Sequence, residues 1–340
     1  MSTLGATYLD LIDLYKRQDD TRAVARIIEL LKQSNPILDD AVALECNQGT
    51  KHLTTIRTGL PSVTWGKLYQ GVSQTKSTTA QVTDTTGFAE ALSTVDKRLL
   101  DLAGKNKAAV RLSEAQAFLE AMNQEVASTI FYGDTASAPE EFIGLAPRFN
   151  STTAANGGQI VKAGGSGSDN TSVWFVTWGD NFTHLLYPQG TKAGIDRQDK
   201  GEQRVLDASN NPYYVEEELF RWHVGLTVRD WRYVARIANI DVSDLAAGTV
   251  DIYKYMREAF WKVHRHNPMG GKMVIYANAA VCEALDAHAT PTMSSDVPTN
   301  KTGSLVRLRR DEIDGKEILT YRGIPIRRCD AILNTEAAVS

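Results

Sequence analysis

A chain of 340 residues, 42% of them apolar, is long enough to bury a sizeable core in roughly two or three packed regions. Its formal net charge of −4 leaves no basic footprint for a sequence-specific nucleic-acid binder. Cys46, Cys282 and Cys329 share no CxxC spacing, no apolar run approaches the roughly 20 residues of a membrane helix, and no charged-then-apolar leader opens the chain. A soluble protein made in a reducing compartment is expected.

Residues 1–50 read as an arm. One short apolar patch holds Leu9, Leu11, Ile12 and Leu14; a second, on a helix ending before Pro36, holds Val24, Ile27, Ile28, Leu30 and Leu31. Such an arm has no core of its own, so its apolar faces must dock elsewhere. From Lys51 to Thr86 the chain turns rich in Thr, Val and Gly, which favours extended structure. Gly59, Pro61 and Gly71 interrupt it, and a reversal is expected near Lys76 and Ser77. Its apolar residues are too sparse for a continuous buried face. It therefore reads either as a mobile surface hairpin or as a loop that a neighbouring molecule covers.

A short strand and short helix over Gly87 to Gly104 lead to the most regular stretch of the chain. Ser113 followed by Gln116 has capping-box spacing, so a helix is expected over 113–131. Leu112, Ala115, Phe118, Leu119, Met122, Val126 and Ile130 recur at helical spacing, and Gly133 stops them. At 1.5 Å per residue this helix is roughly 27 Å long. A Gly/Ser/Asn-rich passage (150–170) precedes the apolar strand SVWFVTWG; TKAGIDRQDKGEQ (191–203) reads as a polar loop, and LTVRDWRYVARIANID as one strand. The last hundred residues alternate helix and strand. VDIYKYMREAFWKVHRH puts Ile252, Met256, Ala259, Phe260 and Val263 on one face; then come the strand MVIYAN, the helix AVCEALDAH, turn-rich 290–304, and strands around Gly323 and Pro325.

A search for chemistry finds no catalytic, cofactor-binding or metal constellation. His264 and His266, two residues apart on a helix, would face different ways and share no metal. Gly164–Gly165–Ser166–Gly167–Ser168 misses the nucleophile-elbow pattern at its fifth position. No phosphate-binding loop is present. Cys282 falls on the apolar face of a helix, as a structural thiol would. The pairs Asp19–Asp20, Asp39–Asp40 and Glu140–Glu141 read as solvated surface. Arg307, Arg309 and Arg310, with Arg327 and Arg328, form the basic clusters and suit an intersubunit or surface role.

A chain with an arm, a reaching hairpin, a long helix and no active site suits self-assembly. The stretches TTIRTGLPSVTW, KSTTAQVTDT, VDKRLLDL, RLSEAQAFLEAMNQ, ASTIFYGD, FIGLAPRF, LTVRDWRYVARIANID and GIPIRRCDAILNTEA, in this order, resemble the major capsid proteins of short-tailed bacteriophages of the epsilon-fifteen and Bordetella type. That resemblance implies an α+β, Hong Kong 97-like capsid fold in four parts. Residues 1–50 would be the N-arm, and 51–100 the E-loop with its connection to the spine helix. Residues 101–241 would be the peripheral (P) domain with spine helix 113–131, and 242–340 the axial (A) domain. The strand-like stretch 172–241 precedes the axial helices here, which implies a permuted strand order.

The implied function is an icosahedral phage head of hexamers and pentamers enclosing double-stranded DNA. The chain would be made and assembled in the bacterial host cytoplasm and end in the virion. Its partners would be copies of itself, with portal and scaffolding or cement proteins, and no membrane. Trp65, Leu68 and Val72 are the expected E-loop contacts between subunits, because large aromatic and aliphatic residues dominate interface cores. An encapsulin-type nanocompartment shell is the alternative within the same fold, and a soluble hydrolase the alternative outside it.

Overall fold

The computed structural model describes residues 32–289, 309–313 and 316–340, with backbone alone for 288, 289, 309–313 and 316–318. The expected apolar patches in 9–14 and 24–31, the turn-rich stretch 290–304 and Arg307 lie outside those residues. A short helix α1 (Ile37–Asp40) and strand β1 (Ala43–Glu45) lead into β2 (Lys51–Gly59) and the 19-residue β3 (Thr78–Asp96). Helix α2 (Lys97–Ala103) and a 3-10 turn precede the long helix α3 (Lys107–Tyr132). Then follow α4 (Leu145–Arg148), β4 (Ile160–Lys162), β5 (Asn170–Trp178), β6 (Thr183–Tyr187), β7 (Ile195–Leu206), β8 (Pro212–Val228) and β9 (Val234–Asp241). The remainder alternates: α5 (Val242–Ala246), α6 (Ile252–Lys262), β10 (Lys272–Ala277), α7 (Ala279–Ala289), β11 (Arg309–Ile313), β12 (Lys316–Tyr321) and β13 (Ile324–Arg328).

Among the described residues these strands join in one sheet, in the order β11-β12-β13-β10-β5-β6-β8-β3-β2. β9 also pairs with β5, β4 with β9, β7 with β8, and β1 with β6. At the centre lies β5, buried along its whole length and hydrogen-bonded antiparallel to both β9 and β10. Its side chains alternate between two cores, as a strand's must. Trp174, Val176 and Trp178 pack with Val126, Ile130 and Phe131 of α3. Val173 and Phe175 pack with Met256 and Phe260 of α6 and Leu285 of α7. In chain order β4 to β9 precede α5, β10 and α7. Asp241 marks a change of element, since its side chain accepts from the Asp244 N–H at 3.0 Å and caps α5. The sheet itself runs on across that point through β5.

Five local expectations are corrected. The long helix starts at Lys107 instead of Ser113, so Ser113 lies inside it and forms no cap. Ala108 and Ala109 are strong helix formers, and Lys107 and Arg111 are held by carboxylates of β8, which carries the helix a turn and a half further back. Leu112, assigned to the apolar stripe, is 53% exposed. The hairpin reverses near Leu68 and Tyr69, where Tyr69 has φ 63°, and not at Lys76–Ser77. The polar stretch 191–203 is largely strand β7, paired residue by residue with β8 from Ile195↔Trp222 to Leu206↔Pro212. The stretch 226–241 is two strands, broken at Trp231–Tyr233 by a 3-10 turn that Asp230 caps by accepting from the Arg232 N–H at 3.0 Å.

The exit of α3 explains the FYGD and FIGL motifs. Gly144 N donates to Gly133 O at 2.8 Å. A Cβ on Gly133 would come within 2.4 Å of Phe142 O, and one on Gly144 within 2.6 Å of Thr129 O. Both positions need glycine because backbone meets backbone there.

Candidate assembly surfaces

Between β2 and β3, residues 60–77 leave the body without regular structure or a core of their own. The hairpin's pairing from Lys51↔Thr85 to Gly59↔Thr78 carries them outward. At roughly 3.4 Å per residue, β3 extends some 60 Å from this tip to α2. Trp65 is 98% exposed, Leu68 89%, and Val72 69%; Leu60, Val63 and Tyr69 are equally bare. All three residues expected to make intersubunit contacts thus stand together on one exposed tip. Burying one tryptophan removes roughly 200 Å² of surface, worth about 5 kcal/mol before association costs. Large exposed apolar side chains grouped on one segment are the kind of surface that a partner covers.

The root of the hairpin is held by buried polar groups. Asp84 of β3 accepts from Arg148 Nη2 at 2.8 Å and from Thr227 Oγ1 at 2.5 Å. Arg148 also donates to the Leu226 carbonyl. Beside it, Arg229 Nη2 lies 2.8 Å from His52 Nε2, and His52 meets the fully buried His184 edge-on at 5.7 Å. The tip is free, and its base is clamped to the sheet.

Where α3 begins, Arg111 spans Glu216 at 3.0 Å, Glu218 at 2.6 Å and Asp199 at 3.0 Å. Lys107 also pairs with Glu216, and Arg197 with Glu218 at 2.8 Å. Phe118 stacks on Phe220 beneath this network. The polar strand β7 is thereby fixed to the helix by charge as well as by backbone pairing.

The remaining candidate groups are structural. His264 and His266 lie beyond the end of α6; His264 meets Tyr233 edge-on, and His266 stacks on Phe260 at 3.6 Å. Among the described residues no His, Cys, Asp and Glu converge as metal ligands. Burial pushes the Cys46 and Cys282 thiols up to about 11 and Cys329 to about 12, so all three are protonated at neutral pH. Asp40, expected to be solvated, is instead buried. It accepts from Lys272 Nζ at 2.7 Å and Tyr276 Oη at 3.0 Å, with Arg327 Nε at 3.3 Å. Among the described residues no helix is long and apolar enough to cross a membrane.

Three comparisons bear on this geometry. The family model of major capsid protein GP7 matches residues 19–340. The near-atomic cryo-EM structure of bacteriophage epsilon15 matches with a TM-score of 0.76 and 38% identity, over 100% of this chain and 99% of that one. The holo-SrpI encapsulin complex from Synechococcus elongatus PCC 7942 matches at 10% identity and a TM-score of 0.44, over 68% of this chain and 96% of that one. No curated protein matches. The expected Hong Kong 97-type capsid fold stands. Matched over most of its length by both a family model and a phage capsid structure, this chain belongs to the family of major capsid protein GP7, a structural family of phage head shells without an enzymatic role.

Proposed function

We propose that copies of this chain close into hexamers and pentamers of an icosahedral head around double-stranded DNA, with portal and scaffolding or cement proteins as further partners. Assembly takes place in the bacterial cytoplasm. In this reading residues 1–50 are the arm, and 51–100 the reaching loop with its connection. Residues 101–241 form the peripheral part on α3, and 242–340 the axial part. Trp65, Leu68 and Val72 are buried on a neighbouring copy. The carrying observation is an apolar tip exposed on a clamped hairpin, in a chain that matches a phage capsid protein from end to end. One subunit that presents different patches to different neighbours closes into rings, and so into a shell.

The Trp65→Ala variant tests the reading. It should keep the circular dichroism and thermal midpoint of the parent, because Trp65 supports nothing within its own chain. In negative-stain microscopy its yield of closed particles should fall by roughly a hundredfold, as expected for loss of an interface anchor. Wild-type-like particles from the variant would remove the role of Trp65, and a wild-type chain that stays monomeric would overturn the shell.

A further inference from the structure

The two ends of helix α6 differ in charge and in side-chain size. At its C-terminal end Trp261 is 69% exposed. Arg322, in the turn between β12 and β13 at φ 52°, holds its guanidinium 4.8 Å from the Phe260 ring and 5.9 Å from that of Trp261. His266 adds a ring 5.6 Å from Trp261, and Met269, a few residues on, is 98% exposed. Arg322 has no carboxylate partner among the described residues. The opposite end, roughly 16 Å away along eleven residues of helix, carries small residues and four carboxylates: Asp169, Asp241, Asp244 and Asp251. Asp169 and Asp241 both flank Gly167, while Asp244 and Asp251 are exposed. Lys254 alone offsets them in the first turn of α6, lying over Tyr255. None of the four aspartates is in an ion pair among the described residues.

We propose that the Trp261–Arg322 end of one copy docks on the Asp241–Asp251 end of the next. The inference rests on the shell reading and names the surfaces of one of its contacts. Charge complementarity selects a second copy as the occupant: a basic, aromatic patch and an acidic, small-residue patch lie on the same chain. Because the patches differ, the contact is head-to-tail, and a fixed rotation repeated at each step closes a ring. Tryptophan, methionine and arginine together are the composition of a protein interface core. A duplex contact would instead need a spread of lysines and arginines on phosphates, and the exposed Trp261 and Met269 add nothing to it.

A charge-swap experiment on the full-length chain tests this. Arg322→Glu alone, and Asp244→Arg with Asp251→Arg, should each raise the concentration needed for capsomers, read by native mass spectrometry, roughly a hundredfold. All three substitutions in one chain should restore capsomers, because the complementarity is merely reversed. Circular dichroism should be unchanged throughout, since each residue is exposed and the one bond lost within the chain, from Tyr253 N to the Asp251 carboxylate at 3.2 Å, caps only the first turn of α6. Capsomers at wild-type levels from the Arg322→Glu chain, or no rescue by the swap, would overturn the contact. So would an Arg322→Glu chain that assembles normally but loses affinity for a short DNA duplex. Wild-type chains that never associate would overturn the shell reading and this contact with it.

Discussion

Replacing Arg236 by Met is expected to destabilise the folded subunit by roughly 3–5 kcal/mol, because it strands a buried carboxylate. Arg236 of β9 and Glu336 are each 4% exposed and pair at 2.8 Å. The same guanidinium donates to Ser172 Oγ at 3.0 Å and to the Phe149 carbonyl at 2.9 Å, and lies 4.9 Å over the Trp174 ring. Glu336 in turn accepts from Ser172 and, at 2.5 Å, from Tyr132 Oη, whose hydroxyl burial and this carboxylate hold above the usual phenol range. One ion pair therefore ties the end of α3, the central strand β5, β9 and the segment after β13 together. The double variant Arg236→Met with Glu336→Leu should recover most of the loss, since replacing both charges with apolar groups of similar volume is often neutral. Urea midpoints of unassembled subunits measure both. A single variant as stable as the parent would show that the ion pair does not hold these elements.

Acid is expected to loosen the root of the β2–β3 hairpin before the rest of the subunit. His184 is fully buried on β6; burial first, then Arg229 and His52, push its pKa down to about 4 from an ordinary 6.5. His52 is pushed down as well, by burial and then by Arg229. An arginine can only donate, so the 2.8 Å contact requires His52 Nε2 to accept, which a protonated ring cannot do. The sign follows from these directions. Between pH 6.5 and 4 the unfolded chain binds a proton at His184 that the folded chain refuses, so stability falls as pH drops through that window. The full loss from His184 is about 3 kcal/mol, complete below pH 4. Asp84 and Asp180 face the same cluster and partly oppose the effect at His52. Hydrogen exchange should show β2 amides losing protection first at pH 5, and His184→Gln should flatten the decline. An identical pH profile in that variant would place the acid sensitivity elsewhere.

The residues in chain order were enough for those elements whose side chains keep a regular period. The buried face of α6, from Ile252 to Val263, was legible because helical spacing reports which side chains share a face, and every one of those residues is buried. So was β5, whose apolar run Val173–Val176, followed by Trp178, matches a strand covered on both sides. The bare tip with Trp65, Leu68 and Val72 was legible for the opposite reason: its apolar residues were too few and too irregular to line a core. Local pattern also misled. Ser113 and Gln116 have capping spacing, yet the helix was already under way, because ion pairs to β8 stabilise its first turn and a half. Strand β7 showed no strand signal, since it is held by the backbone of β8 and by Arg197 and Arg111 rather than by a buried face.

Sequence by itself determined the family, the long helix, the exposed hairpin and the alternating order of the last hundred residues. Only the tertiary structure decided which polar groups lie inside. Asp40 read as solvated surface and is buried against Lys272, 232 positions away; Asp84 meets Arg148, 64 away; Glu336 meets Arg236, 100 away. A charged residue carries the same local signal whether water or a distant partner neutralises it. The partner's position, set by how the strands join, is what makes its burial tolerable.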